Sequence, residues 1–223
     1  MKYKTCVTVA ETNHAKLKQT LKIALKKSDY VEIRFDFLRT EQIPQILEDI
    51  KKDLNKIVCT LRPKLEGGKF SGSEKERISI LKLIAEYNPY LLDVEFGTIR
   101  KNSDLAKYLK TTKTKLLISE HDFKKTPKFP ELKKKIKQMA KFSSNVKIVT
   151  SAKSTNDSTR VLQLYKNRGK ISLIAFSMGD LGRMSRILSL YLGSPYTYVS
   201  LGKPIAPGQF SLDEVKKIIS LNT

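Results

Sequence analysis

Eight short runs rich in β-branched and apolar residues recur along the chain, and this rhythm narrows the fold more than any other feature. They are residues 5–9 (TCVTV), 30–35 (YVEIRF), 57–61 (IVCTL), 91–96 (LLDVEF), 115–119 (KLLIS), 145–150 (NVKIVT), 172–177 (SLIAFS) and 196–201 (YTYVSL). Segments between them carry apolar residues at helical spacing: Ile43, Ile46 and Leu47, then Ile78, Leu81 and Leu83, then Ile187, Leu188, Leu190 and Tyr191, then Val215, Ile218 and Ile219. Ser211 with Glu214 three positions on predicts a capping box at the start of the last helix. Strand and helix in strict alternation imply parallel strands joined by right-handed crossovers. Eight such units of about 28 residues predict a compact (β/α)8 TIM barrel, an α/β fold occupying residues 1–223 as a single domain. An open doubly wound sheet competes with it, but no Gly-x-Gly-x-x-Gly follows the first strand, where VAETNHAKL holds no glycine.

Polar residues inside these strands give the second constraint. In residues 31–36 (VEIRFD) the charges fall at every second position, so Glu32, Arg34 and Asp36 share one face. An exposed antiparallel sheet would give the same alternation. Parallel strands, however, are covered on both faces, so in a barrel all three are expected in the interior or at its mouth. The same reasoning applies to Thr60 and Arg62, to Asp93 and Glu95, to His121 just past the fifth strand, and to Lys147 inside the sixth. Barrel active sites collect at the C-terminal ends of the strands, where these residues fall. A purely structural network of ion pairs is the alternative.

Composition excludes several classes. The N-terminal stretch MKYKTCVTVAET lacks the apolar core of a secretion signal, and no run approaches the ~18 apolar residues of a membrane span. A cytosolic chain with no membrane partner is expected. Cys6 and Cys59 each sit within an apolar strand and read as reduced core thiols. With His14 and His121 they lack the spacing of a zinc site, so no metal is expected. The net charge of +21 raises the question of nucleic acid, yet nine of the 43 basic residues are arginine, leaving 34 lysines spread over nearly every helical segment. With no interleaved aromatics, this reads as a solvated surface with a general attraction for small anions.

Lys147 lies between β-branched neighbours where a charge is out of place. Desolvation favours a neutral amine, the form that attacks a carbonyl to give a Schiff base, and the Schiff base acidifies the adjacent carbon. His121, in the sequence SEHDF at a strand end, is the expected proton shuttle, whereas His14 on an early helix reads as a surface residue. Arg34, Arg62 and Arg186 lie in segments ending at one mouth, and guanidinium forks suit carboxylate or phosphate, so an anionic substrate is expected. Glu66 and Gln209 can meet hydroxyl groups, which favours a small hydroxylated keto acid. The glycines of SMGDLG after the seventh strand suit either a phosphate cradle or a tight turn.

These residues carry a family resemblance. Glu32-x-Arg34-x-Asp36, Thr60-x-Arg62-x-x-x-Glu66-Gly67-Gly68, Ser119-x-His121-Asp122-Phe123-x-x-Thr126-Pro127, Val146-Lys147-Ile148, Ser177-Met178-Gly179 with Ser185-Arg186, Gly193-Ser194-Pro195-x-Thr197-Tyr198, and Ala206-Pro207-Gly208-Gln209 resemble the ordered signatures of type I 3-dehydroquinate dehydratase. The resemblance implies a (β/α)8 barrel acting as a hydro-lyase that turns 3-dehydroquinate into 3-dehydroshikimate and water, in the shikimate route to aromatic amino acids. It implies no cofactor, and a homodimer. By the same resemblance Lys147 forms the imine, His121 moves the proton and helps expel the hydroxyl group, and Glu66 orients His121 or the substrate hydroxyls. Arg186 holds the carboxylate, and Glu32, Arg34, Arg62 and Gln209 complete the pocket. One departure stands out: Ile205 occupies the position before Ala206 where the family often has a hydroxyl residue, which removes a contact of about 0.5–1.5 kcal/mol. The loop 202–210, with Pro204, Pro207 and Gly208, is expected to close over the mouth and carry Gln209 in. A Schiff-base aldolase acting on a phosphorylated sugar is the competing enzyme, and a basic nucleic-acid-binding module the competing non-enzyme.

Overall fold

The computed structural model describes residues 3–220; the ends of the domain read from the sequence, residues 1–2 and 221–223, lie outside the described residues. Strands β1 (Thr5–Val9), β2 (Tyr30–Arg34), β3 (Ile57–Thr60), β4 (Leu91–Glu95), β5 (Leu116–Asp122), β6 (Asn145–Ser151), β7 (Ser172–Met178) and β8 (Thr197–Ser200) fall on the eight runs, and a short β9 (Phe210–Ser211) follows. Helices α1 (His14–Lys27), α2 (Ile43–Asp49), α3 (Glu74–Glu86), α4 (Phe96–Lys101), α5 (Ser103–Thr111), α6 (Phe129–Met139), α7 (Thr155–Leu162), α8 (Ser185–Tyr191) and α9 (Leu212–Ser220) alternate with them. All registered strand pairs are parallel, and the order is β7-β6-β5-β4-β3-β2-β1-β8-β9.

Two cores explain why the sheet curls. Val146 and Ile148 of β6 face outward with Val7, Ile33 and Cys59 into a layer shared with helical residues such as Leu81, Leu132 and Ile187. Their alternates turn inward. Cys6, Val58, Leu91, Leu117, Val149, Ile174, Phe176, Tyr196 and Tyr198 form one interior cluster with Tyr30 and Tyr90 at its edge, so β1 to β8 all meet on a single axis. This is the packed interior of a (β/α)8 barrel. Helix α8 packs against both β7 and β8 and spans the seam between them.

Three details depart from the sequence reading. Strand β2 ends at Arg34, and Phe35–Phe37 forms a 3₁₀ turn. Asp36 therefore does not share the inward face; it lies beside the barrel, grips Arg34 and accepts the backbone N–H of Lys69 at 2.9 Å. Strand β5 runs on to Asp122, so His121 sits within it. The ninth strand takes the last residue of the presumed lid loop, pairing Phe210 with Val199 and Ser211 with Ser200. The capping box is present, with Ser211 Oγ accepting from the Glu214 N–H and Glu214 Oε2 accepting from the Ser211 N–H. Cys6 and Cys59 are free and buried on opposite faces of the sheet, and burial pushes both thiols up. No helix among the described residues is long and apolar enough to cross a membrane.

Candidate active site

The C-terminal ends of the strands open into a cavity lined by Glu32, Arg34, Arg62, Glu66, His121, Lys147, Arg186 and Gln209. All eight candidate residues thus meet at one place. Alternation in parallel strands puts them there: Lys147 pairs in register with Ser119 and Ile174, and His121 pairs with Val149 one inward step nearer the mouth.

Lys147 is 4% exposed. Its Nζ lies 3.3 Å from Asp93 Oδ2, 3.8 Å from Glu32 Oε1 and 4.2 Å from the centre of the Tyr198 ring. Glu32 also accepts from the Thr60 hydroxyl at 2.9 Å. Burial alone would raise the pKa of Asp93, but Arg62, Lys147 and the Ser119 hydroxyl outweigh it and hold the carboxyl below its usual range. The amine thus stands on an aromatic floor and faces an ionised carboxylate.

Arg62 is committed to the wall of the site. It donates to Asp93, Glu95 and Ser119, each at 2.7 Å. Arg34 is held in a two-pronged pair by Asp36, both bonds 2.8 Å. Arg186 differs: it stacks on Phe176 at 4.1 Å and donates to the Pro207 carbonyl at 3.1 Å, and its Nε has no hydrogen-bond partner among the described residues. Burial lowers its pKa to about 10, and no carboxylate within reach offsets this among the described ion pairs. Of the three guanidinium groups, Arg186 is the one left to grip an incoming anion.

His121 and Glu66 form the second chemical unit. Glu66 ends a 3₁₀ turn, Lys64–Glu66, that stops at Gly67 with φ of 76°. That positive φ is what calls for glycine at Gly67, and the Phe123 ring just past β5 lies against the turn. The contact brings Glu66 Oε2 to 3.0 Å from His121 Nδ1 and 3.1 Å from the His121 backbone N–H. Burial, then Arg62, Lys147, Arg34 and Arg186, push the imidazole well below its ordinary value, so it is neutral near pH 7. Burial raises Glu66 to about 8 against the pull of Arg62. With Nδ1 facing Glu66, Nε2 is the nitrogen free to exchange a proton.

The segment 205–209 roofs the cavity. Gln209 Oε1 accepts from the Ile205 N–H at 2.9 Å, and its Nε2 donates to Thr8 at 3.3 Å, so the amide pins the roof to β1 as well as lining the cavity. Gly208, with φ of 69°, lets the roof lie on the turn after β7: a side chain there would sit 2.9 Å from the Gly179 oxygen. Gly179 has φ of 83°, a side chain at Gly182 would meet the Ser177 oxygen at 2.5 Å, and the Gly182 N–H donates to the Gly179 oxygen at 3.1 Å, which makes SMGDLG a tight turn. Ile205 adds an apolar side chain to the lining.

Sequence reasoning missed Arg77, Tyr198 and Thr8. Tyr198 and Thr8 continue the inward alternation of their strands and were legible by that rule; Arg77 on α3 gave only an on-helix pairing with Glu74 three residues before it. His14 lies outside the site, 3.0 Å from Asp49 between α1 and α2. No cluster of three or more metal-ligating side chains occurs among the described residues.

The type I 3-dehydroquinase family model matches residues 5–223. A 3-dehydroquinate dehydratase of Methanococcus maripaludis (strain C6) is 38% identical over 222 residues, covering 97% of this chain and 98% of the relative. That of Methanocaldococcus jannaschii is 36% identical over 219 residues, with 96% of each chain covered. Among solved structures, the 3-dehydroquinate dehydratase of Aquifex aeolicus superposes with a TM-score of 0.80 at 28% identity, covering 98% of both chains. The Geobacillus kaustophilus protein gives a TM-score of 0.89 over 99% of this chain and 91% of its own, and at 24% identity that likeness is one of fold.

Proposed function

We propose, from the premise that the chain belongs to the type I 3-dehydroquinase family, that it dehydrates 3-dehydroquinate to 3-dehydroshikimate through an imine at Lys147. The observation that supports this reading most is the meeting of three groups in one cavity: a buried amine on Lys147, a neutral imidazole on His121 and a guanidinium on Arg186 with no carboxylate partner among the described residues.

Each group has a place in the reaction. The Arg186 guanidinium takes the substrate carboxylate and sets the ring against β6 and β7. The Lys147 amine adds to the ketone and, with one proton taken up from solvent, water leaves, giving a protonated imine that draws electrons from the adjacent C–H bond. Asp93, held ionised, steadies the positive charge on the amine and on the imine. His121 Nε2 removes the proton from that carbon, and the electron pair moves into an enamine. The imidazolium then gives its proton to the departing hydroxyl, which leaves as water as the double bond forms. A second water releases the enone product, restores the amine and gives back the proton taken up at the start, so the net change is loss of one water. Glu66 holds Nδ1 and with it the ring orientation. Glu32, Arg34, Arg62 and Gln209 shape the pocket, Arg34 and Arg62 mainly by fixing carboxylates and Gln209 by pinning the roof.

The Ile205 side chain offers no hydrogen bond, so the substrate hydroxyls depend more on Glu32, Glu66 and the free hydrogen of the Gln209 amide. We read residues 1–223 as one catalytic domain, working in the cytosol as a homodimer without a cofactor; light scattering on the purified chain decides the dimer. The decisive assay for function follows the ultraviolet absorbance of the enone when the protein meets 3-dehydroquinate. A rate far above background, lost in Lys147→Met, is expected; no enone, or an undiminished rate in the variant, overturns the proposal.

A further inference from the structure

A line of alternating charge runs from the reacting amine through the barrel wall to the surface. Lys147 Nζ faces Asp93 Oδ2 at 3.3 Å, and Asp93 Oδ2 accepts from Arg62 at 2.7 Å. Arg62 donates to Glu95 Oε1 at 2.7 Å, and Glu95 Oε2 accepts from Arg77 at 2.6 Å. Arg77 comes from the outer helix α3, yet it is 1% exposed. Its remaining donors go to the Leu61 carbonyl at 3.1 Å, to both oxygens of Glu74 at 2.8 and 2.9 Å, and to Thr98.

We infer that Arg77 is a positioning residue for Lys147: it anchors Glu95, Glu95 anchors Arg62, and Arg62 fixes the Asp93 carboxylate against the amine. The inference rests on the imine reading above. A helix charge with nothing to do would point to water, as the lysines of α1 do; burying a guanidinium needs compensation at every donor, and here the compensation leads inward. Arg62 has three side-chain partners among the described residues, Asp93, Glu95 and Ser119, and Glu95 is the one tied to the outer helix. Glu95 has one oxygen for Arg62 and one for Arg77, so it is tethered from both sides.

Removing the outer tether has a directional consequence. Glu95 is faced by Arg62 after β3, Arg77 on α3, Asp93 on its own strand and Glu66 on the neighbouring turn, with the neutral Ser119 from β5 sharing Arg62. Burial raises its pKa while the two guanidinium groups lower it. Without Arg77 the carboxyl takes a proton at higher pH and then holds Arg62 more weakly. Asp93 and the amine lose their fixed geometry most on the acid side.

The test measures the rate at which borohydride traps the substrate on Lys147, from pH 6 to pH 9, in the full chain with 3-dehydroquinate. Arg77→Met is expected to trap at least about tenfold more slowly at pH 6.5, with KM within about threefold, and the acid limb of its profile lies at higher pH than in the parent protein. Arg77→Lys keeps a cation but not the fork, so its limb lies between the two. A methionine variant within about twofold of the parent at every pH, or one slowed equally across the range, overturns the inference. Should the methionine variant fail to fold, the lysine variant decides, and an unmoved limb there overturns it. Absence of any adduct in the parent protein defeats the imine reading itself and takes this inference with it; a parent adduct with an indifferent Arg77 defeats the inference alone.

Discussion

Replacing Glu66 by glutamine should raise folding stability at alkaline pH while leaving it nearly unchanged at pH 5. In the folded chain the Glu66 carboxyl is raised to about 8, against 4.5 for an ordinary glutamate. Folding therefore takes up a proton between these values, so the contribution of Glu66 to stability is full below pH 4.5 and is lost as pH rises through 8. Each pH unit is worth about 1.4 kcal/mol, which over about 3.5 units bounds the loss near 5 kcal/mol. The side chain is 17% exposed, and solvent screening brings the expected value to about 2–3 kcal/mol. Glutamine keeps the shape and the acceptor for the His121 N–H but carries no titrating group. His121, whose pKa is lowered, loses stability only as pH falls below its unfolded value of about 6.5, so the change between pH 7 and pH 9 reports Glu66 and not the imidazole. Urea unfolding at pH 5, 6, 7, 8 and 9 gives the two curves. The stability of the variant minus that of the parent should rise by about 2–3 kcal/mol up to pH 8.5. A difference flat in pH would refute the reasoning, because Glu66 would then be an ordinary ionised carboxylate.

Further outcomes follow from the same geometry. Lys147→Ala should abolish turnover and leave the fold intact, with a stability change of about 1–3 kcal/mol because Asp93 keeps Arg62; steady-state assays and urea midpoints check both halves. His121→Ala should lower kcat by about 10²–10⁴-fold through loss of proton transfer, while borohydride still traps substrate on Lys147, as mass spectrometry would show. Gly208→Ala forces a side chain into positive φ beside the Gly179 oxygen, and at a cost of about 1–2 kcal/mol it should loosen the roof and raise KM several-fold.

Much of this was legible because two periods coincide. Glu32 and Arg34, or Asp93 and Glu95, fall on inward steps of strands whose other face is sealed by helices, and alternation alone brings them to one axis. The same rule failed at Asp36, where the strand gives way to a 3₁₀ turn after Arg34 and the side chain falls outside the ring. Arg34, Arg62 and Arg186 were grouped as grips for an anion by residue type; that Asp93 and Glu95 of the neighbouring strand hold Arg62 leaves no trace in sequence spacing. Arg77 was hidden for a related reason: at helical spacing from Glu74 it resembles a solvated pair, and its burial depends on where α3 lands on β4. Strand β9, two residues long, has no period to read.

The most direct test of the account is the mass of the protein after reduction with borohydride in the presence of 3-dehydroquinate, followed by peptide mapping. The account predicts a stable adduct confined to Lys147 in the parent chain and retained in His121→Ala. An unmodified Lys147 with normal turnover would contradict it.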